Sequence, residues 1–202
     1  MKTASIDYED RLYNQGFARV GGIDEVGRGP LAGPVAACAM VLPKGLQIPG
    51  VNDSKTLTPK RRSELAFIIK EASIGWALGW ADAALIDEIN ILQATYVAMS
   101  RAIENLPVAP DALLIDGLKG NWQPDIFCEF IKKGDSLSHS IAAASIVAKV
   151  ARDEFMIKLH EQYPAYGFDT HKGYGTAAHR QALMIHGPSP LHRLSFLKRI
   201  LS

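Results

Sequence analysis

The chain has 202 residues, with 22 Lys and Arg against 21 Asp and Glu for a net charge of +1, and its side chains are 48% hydrophobic and 21% charged. These proportions exclude a disordered tail, a collagen-like rod and a disulfide-stapled miniprotein, and they fit one domain or one domain with a small appended lobe. The balanced total gives no sign of a polyanion partner.

The first residues, MKTASIDYEDRLYNQGF, are polar and partly acidic and lack an apolar core. They read as an extension over residues 1–18, not as a secretory signal or an Arg-rich transit peptide. Arg19 to Asp24 reads as a short strand running into a glycine-dense turn, since five of the 17 glycines lie between Gly21 and Gly33. Val35 to Leu42 is apolar enough for a strand buried on both faces. The longest mostly apolar stretch, Leu31 to Leu42, is broken by Gly33 and Pro34 and falls short of the ~20 residues a membrane span requires.

Thr58 followed by Pro59 predicts a helix start, with Leu65, Phe67, Ile68 and Ile69 as apolar positions through Lys70. In SIGWALGW, Ile74, Trp76, Leu78 and Trp80 alternate with Gly75, Ala77 and Gly79, the period of a strand. Between Ala83 and Glu104 the stripe Leu92, Tyr96, Met99 and Ile103 predicts an amphipathic helix, with Asn90 as a kink or junction. Ala112 to Asp116 reads as a buried strand ending in an acid and Gly117, and Ile126 to Ile131 as another strand. From Ser138 the pattern is helical, and Ala142, Ala143, Ala144 and Ala148 allow close packing on a sheet. Beyond Tyr163 the chain is turn-rich and then helical again. The two cysteines, Cys38 and Cys128, sit in apolar runs and read as reduced thiols, which points to a cytoplasmic protein.

Charge is unevenly spread. Residues 154–202 hold six of the basic residues, three of the acidic ones and five of the six histidines, whereas the preceding 153 carry 16 basic and 18 acidic side chains.

The densest feature is GIDEVGRGPLAGPV, Gly22 to Val35. Its Gly27-Arg28-Gly29-Pro30-Leu31-Ala32 spacing matches a dinucleotide fingerprint, but that motif needs a helix straight after the turn, and the prolines and β-rich run behind it give a strand. Glycines lacking a Cβ instead let backbone N–H groups approach an anion, and Arg28 adds a charged fork for it. Asp24 and Glu25 supply hard oxygens for Mg²⁺ or Mn²⁺. Neighbouring strand residues point to opposite faces, so both reach one cluster only where the strand ends or twists.

Each acid also has a plain structural reading: Asp24 and Glu25 as solvated turn residues, Asp116 as the end of a strand, Asp135 as a helix cap and Asp153 as the i,i+4 partner of Lys149. Jointly, carboxylates at the ends of separate strands beside basic, glycine-rich elements suit two-metal phosphodiester hydrolysis. Asn52-Asp53-Ser54-Lys55 and Lys60-Arg61-Arg62 read as phosphate contacts or as a solvated helix face. In His171-Lys172-Gly173-Tyr174-Gly175-Thr176, Tyr174 reads as an aromatic that packs on a sugar or base, or as a buried turn residue. The histidines show no zinc spacing.

As a set, GIDEVGRGPLAGPV (22–35), NDSKTLTPKRR (52–62), DEINILQATYVAM (87–99), LLIDG (113–117), KGDS (133–136), IAAASIVAKVARD (141–153) and YGFDTHKGYGTAAH (166–179) resemble the ribonuclease HII family, from about Arg19 to Arg199. The resemblance implies an α/β ribonuclease H-like fold, a mixed central sheet flanked by helices with a C-terminal helical segment. Residues 19–202 would form the catalytic domain, with an α/β core over 19–153 and a helical substrate-binding segment over 154–202. It implies that Asp24, Glu25, Asp116 and Asp135 are catalytic acids binding Mn²⁺ or Mg²⁺, two ions during catalysis. Gly27, Arg28 and Gly29 would sense the ribonucleotide 2′-hydroxyl and its phosphate, Tyr174 would pack on the sugar at the RNA–DNA junction, and Lys55 and Lys149 would approach phosphates.

The implied activity is endonucleolytic cleavage of RNA in RNA/DNA hybrids and on the 5′ side of single ribonucleotides in duplex DNA, by a monomer with no organic cofactor and no membrane association. The competing reading is a hybrid-binding protein without catalysis, in which the acids are structural.

Overall fold

Strand β1 (Val20–Val26) lies at the centre of a five-stranded mixed sheet in the computed structural model, which describes residues 3–117, 120–122, 124–198 and 200. Met1, Lys2, Arg199 and the last two residues, which the expected extension and C-terminal segment include, lie outside the described residues. On one side β1 pairs antiparallel with β2 (Val35–Val41), which pairs antiparallel with β3 (Gly75–Ala81). On the other it runs parallel to β4 (Ala112–Asp116), which runs parallel to β5 (Phe127–Ile131). The glycine-dense turn thus joins two antiparallel strands, as the sequence requires if it is no dinucleotide fingerprint. The first strand runs two residues further than predicted and takes in Glu25.

The helices are α1 (Asp7–Asn14), α2 (Pro59–Ala72), α3 (Ala83–Glu104), α4 (Gly134–Leu137), α5 (His139–Gln162), α6 (Phe168–His171), α7 (Ala177–His186) and α8 (Leu194–Leu197). No described helix is long and apolar enough to cross a membrane. Helix α2 begins as its sequence signals: Thr58 accepts from the Arg61 N–H, and Pro59 takes the first position. Its inner face is Leu65, Ala66 and Ile69, leaving Phe67 and Ile68 exposed.

Helix α5 covers one sheet face, and with α2 and β2 it encloses a core of Cys38, Met40, Leu65, Ile69, Ala143 and Val147. Its alanines bring the backbone so close that a Cβ on Gly22 would lie 2.3 Å from the carbonyl carbon of Ser140, so β1 needs glycine there. The helix runs unbroken through residues 153 and 154, so the α/β core and the C-terminal segment share one rigid element.

The opposite face is covered by α3, over Ile23, Ala37, Ala39, Leu113 and Ile115. At Asn90 the backbone leaves the helix (φ 69°, ψ 164°), and its side chain accepts from the N–H groups of Leu92 and Gln93, capping the second half. The buried stripe there is Ala94, Thr95, Ala98, Met99 and Ala102, so of the predicted Leu92, Tyr96, Met99 and Ile103 only Met99 is fully buried and Leu92 is exposed. Alanines let the helix sit closer to the sheet than the bulky stripe would allow.

A third core, with Met156, Phe168, Leu183 and Leu197, joins the end of α5 to the C-terminal helices. The two cysteines are free, Cys38 buried and Cys128 partly so.

Candidate active site

Parallel pairing of β1 and β4 sets the first two acids side by side. Ile23 pairs with Ile115, and one residue further along both strands stand Asp24 and Asp116, at the carboxyl ends where ligands gather in open α/β sheets. Asp24 is buried on the α5 side, where its Oδ1 accepts from the Glu25 N–H at 2.7 Å. Asp116 Oδ1 accepts from the Gly134 N–H at 2.6 Å, which ties β4 to α4 and brings in Asp135, itself buried. Asp135 lies inside this one-turn helix, while the cap of α5 is Ser138. Glu25 belongs to the opposite face but sits at the strand end, and its carboxylate turns to Arg28 Nη1 at 3.3 Å.

Burial, then the charges of Glu25 and Asp116, hold Asp24 well above the usual carboxylate range. Burial raises Glu25 too, with Asp116 adding to it and Arg28 opposing. Burial and the Asp135 charge raise Asp116. The acids therefore repel one another through a poorly solvated space.

Among the described residues no three His, Cys, Asp or Glu side chains converge as a ready metal cage. The outer acids are instead held by the protein's own cations, Glu25 by Arg28 and Asp135 by Lys55 Nζ at 3.4 Å. A set of four mutually repelling hard oxygen donors nonetheless fits a divalent cation of the Mg²⁺ or Mn²⁺ type, which would replace those two ammonium and guanidinium contacts.

The Gly27–Gly29 turn is built from behind by two arginines. Arg193, fully buried, donates to the carbonyls of Gly27 (2.6 Å), Arg28 (2.9 Å) and Gly33 (2.8 and 3.0 Å). Arg152, also fully buried, donates to the carbonyls of Pro34, Ala32 and Lys172. Because a trans peptide sets N–H opposite to C=O, carbonyls of Gly27 and Arg28 turned to Arg193 direct the N–H groups of Arg28 and Gly29 away from it. Gly27 has φ +90°, and a Cβ there would lie 2.1 Å from Arg152 Nε. The result is a turn with outward amides in front of two buried positive charges, a concavity suited to an anion.

Tyr174 is 41% exposed and stands beside this turn: a Cβ on Gly29 would lie 3.9 Å from its Cε1. The Gly173 carbonyl accepts from the Leu31 N–H at 2.8 Å, tying the two segments together. Lys149 Nζ lies 5.9 Å from the Tyr174 ring centre and is paired with Asp153 at 2.7 Å. Lys55 is well exposed on a turn that Arg62 fixes by donating to the carbonyls of Ser54 and Leu57.

Lys60 and Arg61 fall on the solvated start of α2. Charge interactions and ion pairs thus link the four acids with Lys55 and Arg28, Tyr174 stands beside Gly29 and Lys149, and Gly27 is buried within the turn. The buried arginines behind it were missed in the sequence, although Arg152 falls one helical turn after Ala148 on the alanine face, where a guanidinium must have carbonyl partners.

The family model for ribonuclease HII matches residues 21–199. The chain belongs to the ribonuclease HII family. It is 52% identical to the ribonuclease HII of Chlamydia caviae over 97% of both chains, and 52% identical to that of Geobacter sulfurreducens over 94% of this chain and 87% of the relative. In three dimensions the ribonuclease H2 of Pyrococcus horikoshii is similar with TM-score 0.73 at 24% identity, covering 91% of this chain and 97% of that one. A Bst ribonuclease HIII, determined in complex with Mn²⁺, is similar with TM-score 0.66 at 21% identity over 94% of this chain and 71% of that one. These likenesses bear out the ribonuclease H-like fold expected from the motifs. As a ribonuclease HII the chain is an endoribonuclease, a hydrolase of phosphodiester bonds.

Proposed function

We propose that this enzyme is a divalent-cation-dependent endonuclease that cleaves the RNA strand of RNA/DNA hybrids and nicks duplex DNA on the 5′ side of a single ribonucleotide, leaving 3′-hydroxyl and 5′-phosphate ends. The observation that carries the reading is the adjacency of the four acids, the outward amides of the Gly27–Arg28–Gly29 turn and the exposed ring of Tyr174.

Asp24, Glu25, Asp116 and Asp135 would hold Mn²⁺ or Mg²⁺. When bound, such ions lower the pKa of water and offset charge on the attacked phosphate. The chain's own residues do the selecting. The turn amides and Arg28 bind the phosphate and 2′-hydroxyl, the group that separates RNA from DNA. Tyr174 packs on the sugar at the junction, so a backbone with both sugar types fits best. Lys55, released from Asp135 when a cation is bound there, is free to meet a phosphate, and Lys149 lies on α5 near the Tyr174 ring.

Residues 19–202 act as one catalytic unit, the segment 154–202 forming a basic wall of the groove. The enzyme works as a monomer in the cytoplasm, in ribonucleotide removal and primer RNA degradation. The deciding assay is incubation with an end-labelled duplex containing one ribonucleotide, in Mg²⁺ or in Mn²⁺. A single nick 5′ of that residue is expected; an intact duplex in both metals refutes the reading.

A further inference from the structure

Tyr174 and the Gly27–Arg28–Gly29 turn come from segments far apart in the chain, and gripping one sugar requires a fixed spacing between them. Behind Tyr174 lie two fully enclosed histidines, His179 and His192. His192 Nδ1 accepts from the Ser189 N–H at 2.9 Å, so its proton sits on Nε2. That nitrogen is 3.0 Å from His179 Nε2, and His179 Nδ1 is 3.0 Å from the carbonyl of Tyr174. Only one arrangement of protons satisfies all three contacts: His192 Nε2–H donates to His179, and His179 Nδ1–H donates to Tyr174.

The far end of this relay is bonded to the glycine loop. His192 forms an isolated bridge with Ala32, the Gly33 N–H donates to the Leu191 carbonyl, and the Arg193 N–H donates to the Leu31 carbonyl. Phe168 closes over the pair, with its ring edge-on to His179 at 5.6 Å, and excludes water. In such a dry site a hydrogen bond resists displacement more than it would at the surface.

We propose that the His179–His192 pair is a positioning element that sets Tyr174 against the Gly27–Arg28–Gly29 turn, and so selects the ribonucleotide junction. Neither ring touches the substrate surface. The inference rests on the role proposed for Tyr174, and the test separates the two.

The test compares His192→Asn with His192→Gln. Asparagine keeps an acceptor for Ser189 but is too short to reach His179, whereas glutamine places an amide near the original Nε2. On a single-ribonucleotide duplex, His192→Asn is expected to lower kcat/KM about tenfold, the worth of one buried hydrogen bond, and His192→Gln to recover most of it. In a cycle with Tyr174→Ala, the double variant with His192→Asn should be no slower than Tyr174→Ala alone. Additive losses overturn the inference while leaving the activity assignment intact; absence of cleavage by the parent enzyme overturns the assignment instead. Should His192→Asn not fold, imidazole ¹⁵N spectra of the unaltered protein decide: His192 protonated on Nε2 and His179 on Nδ1 are expected, and the reverse tautomers refute the relay.

Discussion

Arg193 Nη2 lies 2.6 Å from the carbonyl oxygen of Gly27, so a residue of the C-terminal segment shapes the loop that follows β1. Among the described residues the hydrogen-bond acceptors of this guanidinium are all carbonyls, and burial followed by the Arg152 charge lowers it to about 9, still charged at neutral pH. Lysine keeps the charge but is a single point donor and cannot serve Gly27, Arg28 and Gly33 together. Arg193→Lys should therefore cost about 2–4 kcal/mol in urea unfolding and reduce cleavage at a single ribonucleotide more than stability alone explains. A variant with parental kcat/KM would contradict the role of Arg193 in shaping the turn.

The acids are arranged against stability. Burial and the charges of Glu25 and Asp116 oppose ionisation of Asp24, and burial and Asp116 oppose that of Glu25, so replacing the most buried acid relieves the protein. Asp24→Asn should raise metal-free stability by about 1 kcal/mol and abolish cleavage. Mn²⁺ should raise the Tm of the parent and leave that of the variant nearly unmoved, as read by calorimetry with and without chelator. Asp116→Asn should likewise fold and bind hybrid while losing cleavage, and wild-type turnover would contradict its assignment.

The histidine cluster predicts acid sensitivity. Burial, then the neighbouring His179 and His171, lower His192 from 6.5 to about 4, and burial also lowers His179 and His171. Between those values the unfolded chain binds more protons than the folded one, so stability is full above about 6.5 and is lost as pH falls toward 4. For His192 alone the loss is on the order of 3 kcal/mol at pH 4. Urea midpoints across this range should show the slope, and His192→Gln should flatten it.

The two lysines should behave differently. Lys55 is well exposed and its pair with Asp135 is at 3.4 Å, so Lys55→Ala should change stability by less than about 1 kcal/mol while weakening cleavage. Lys149 is largely enclosed with Asp153, which also lies 3.6 Å from Arg62. Lys149→Ala leaves that network short of a charge and should lower both stability and activity; thermal melts beside hybrid-cleavage rates separate the two patterns.

The near-zero net charge, which by itself gives no sign of a polyanion partner, hides a cancellation between clustered acids and a C-terminal segment with a basic excess. Much was legible in the sequence because it depends on neighbours in the chain. Period-two and small-residue patterns marked β3 and α5, Thr58-Pro59 marked the start of α2, Asn90 marked the break in α3, and the motifs carried the family and the ten candidate residues. What the sequence did not reveal depends on partners distant in the chain. Parallel register alone puts Asp24 beside Asp116, and the close approach of α3 through its alanines moved the buried stripe off Leu92. The buried guanidiniums of Arg152 and Arg193 and the His179–His192 pair find their acceptors only once the C-terminal segment folds back on the glycine loop, because a hydrogen bond is fixed by position in space and leaves no period in the sequence.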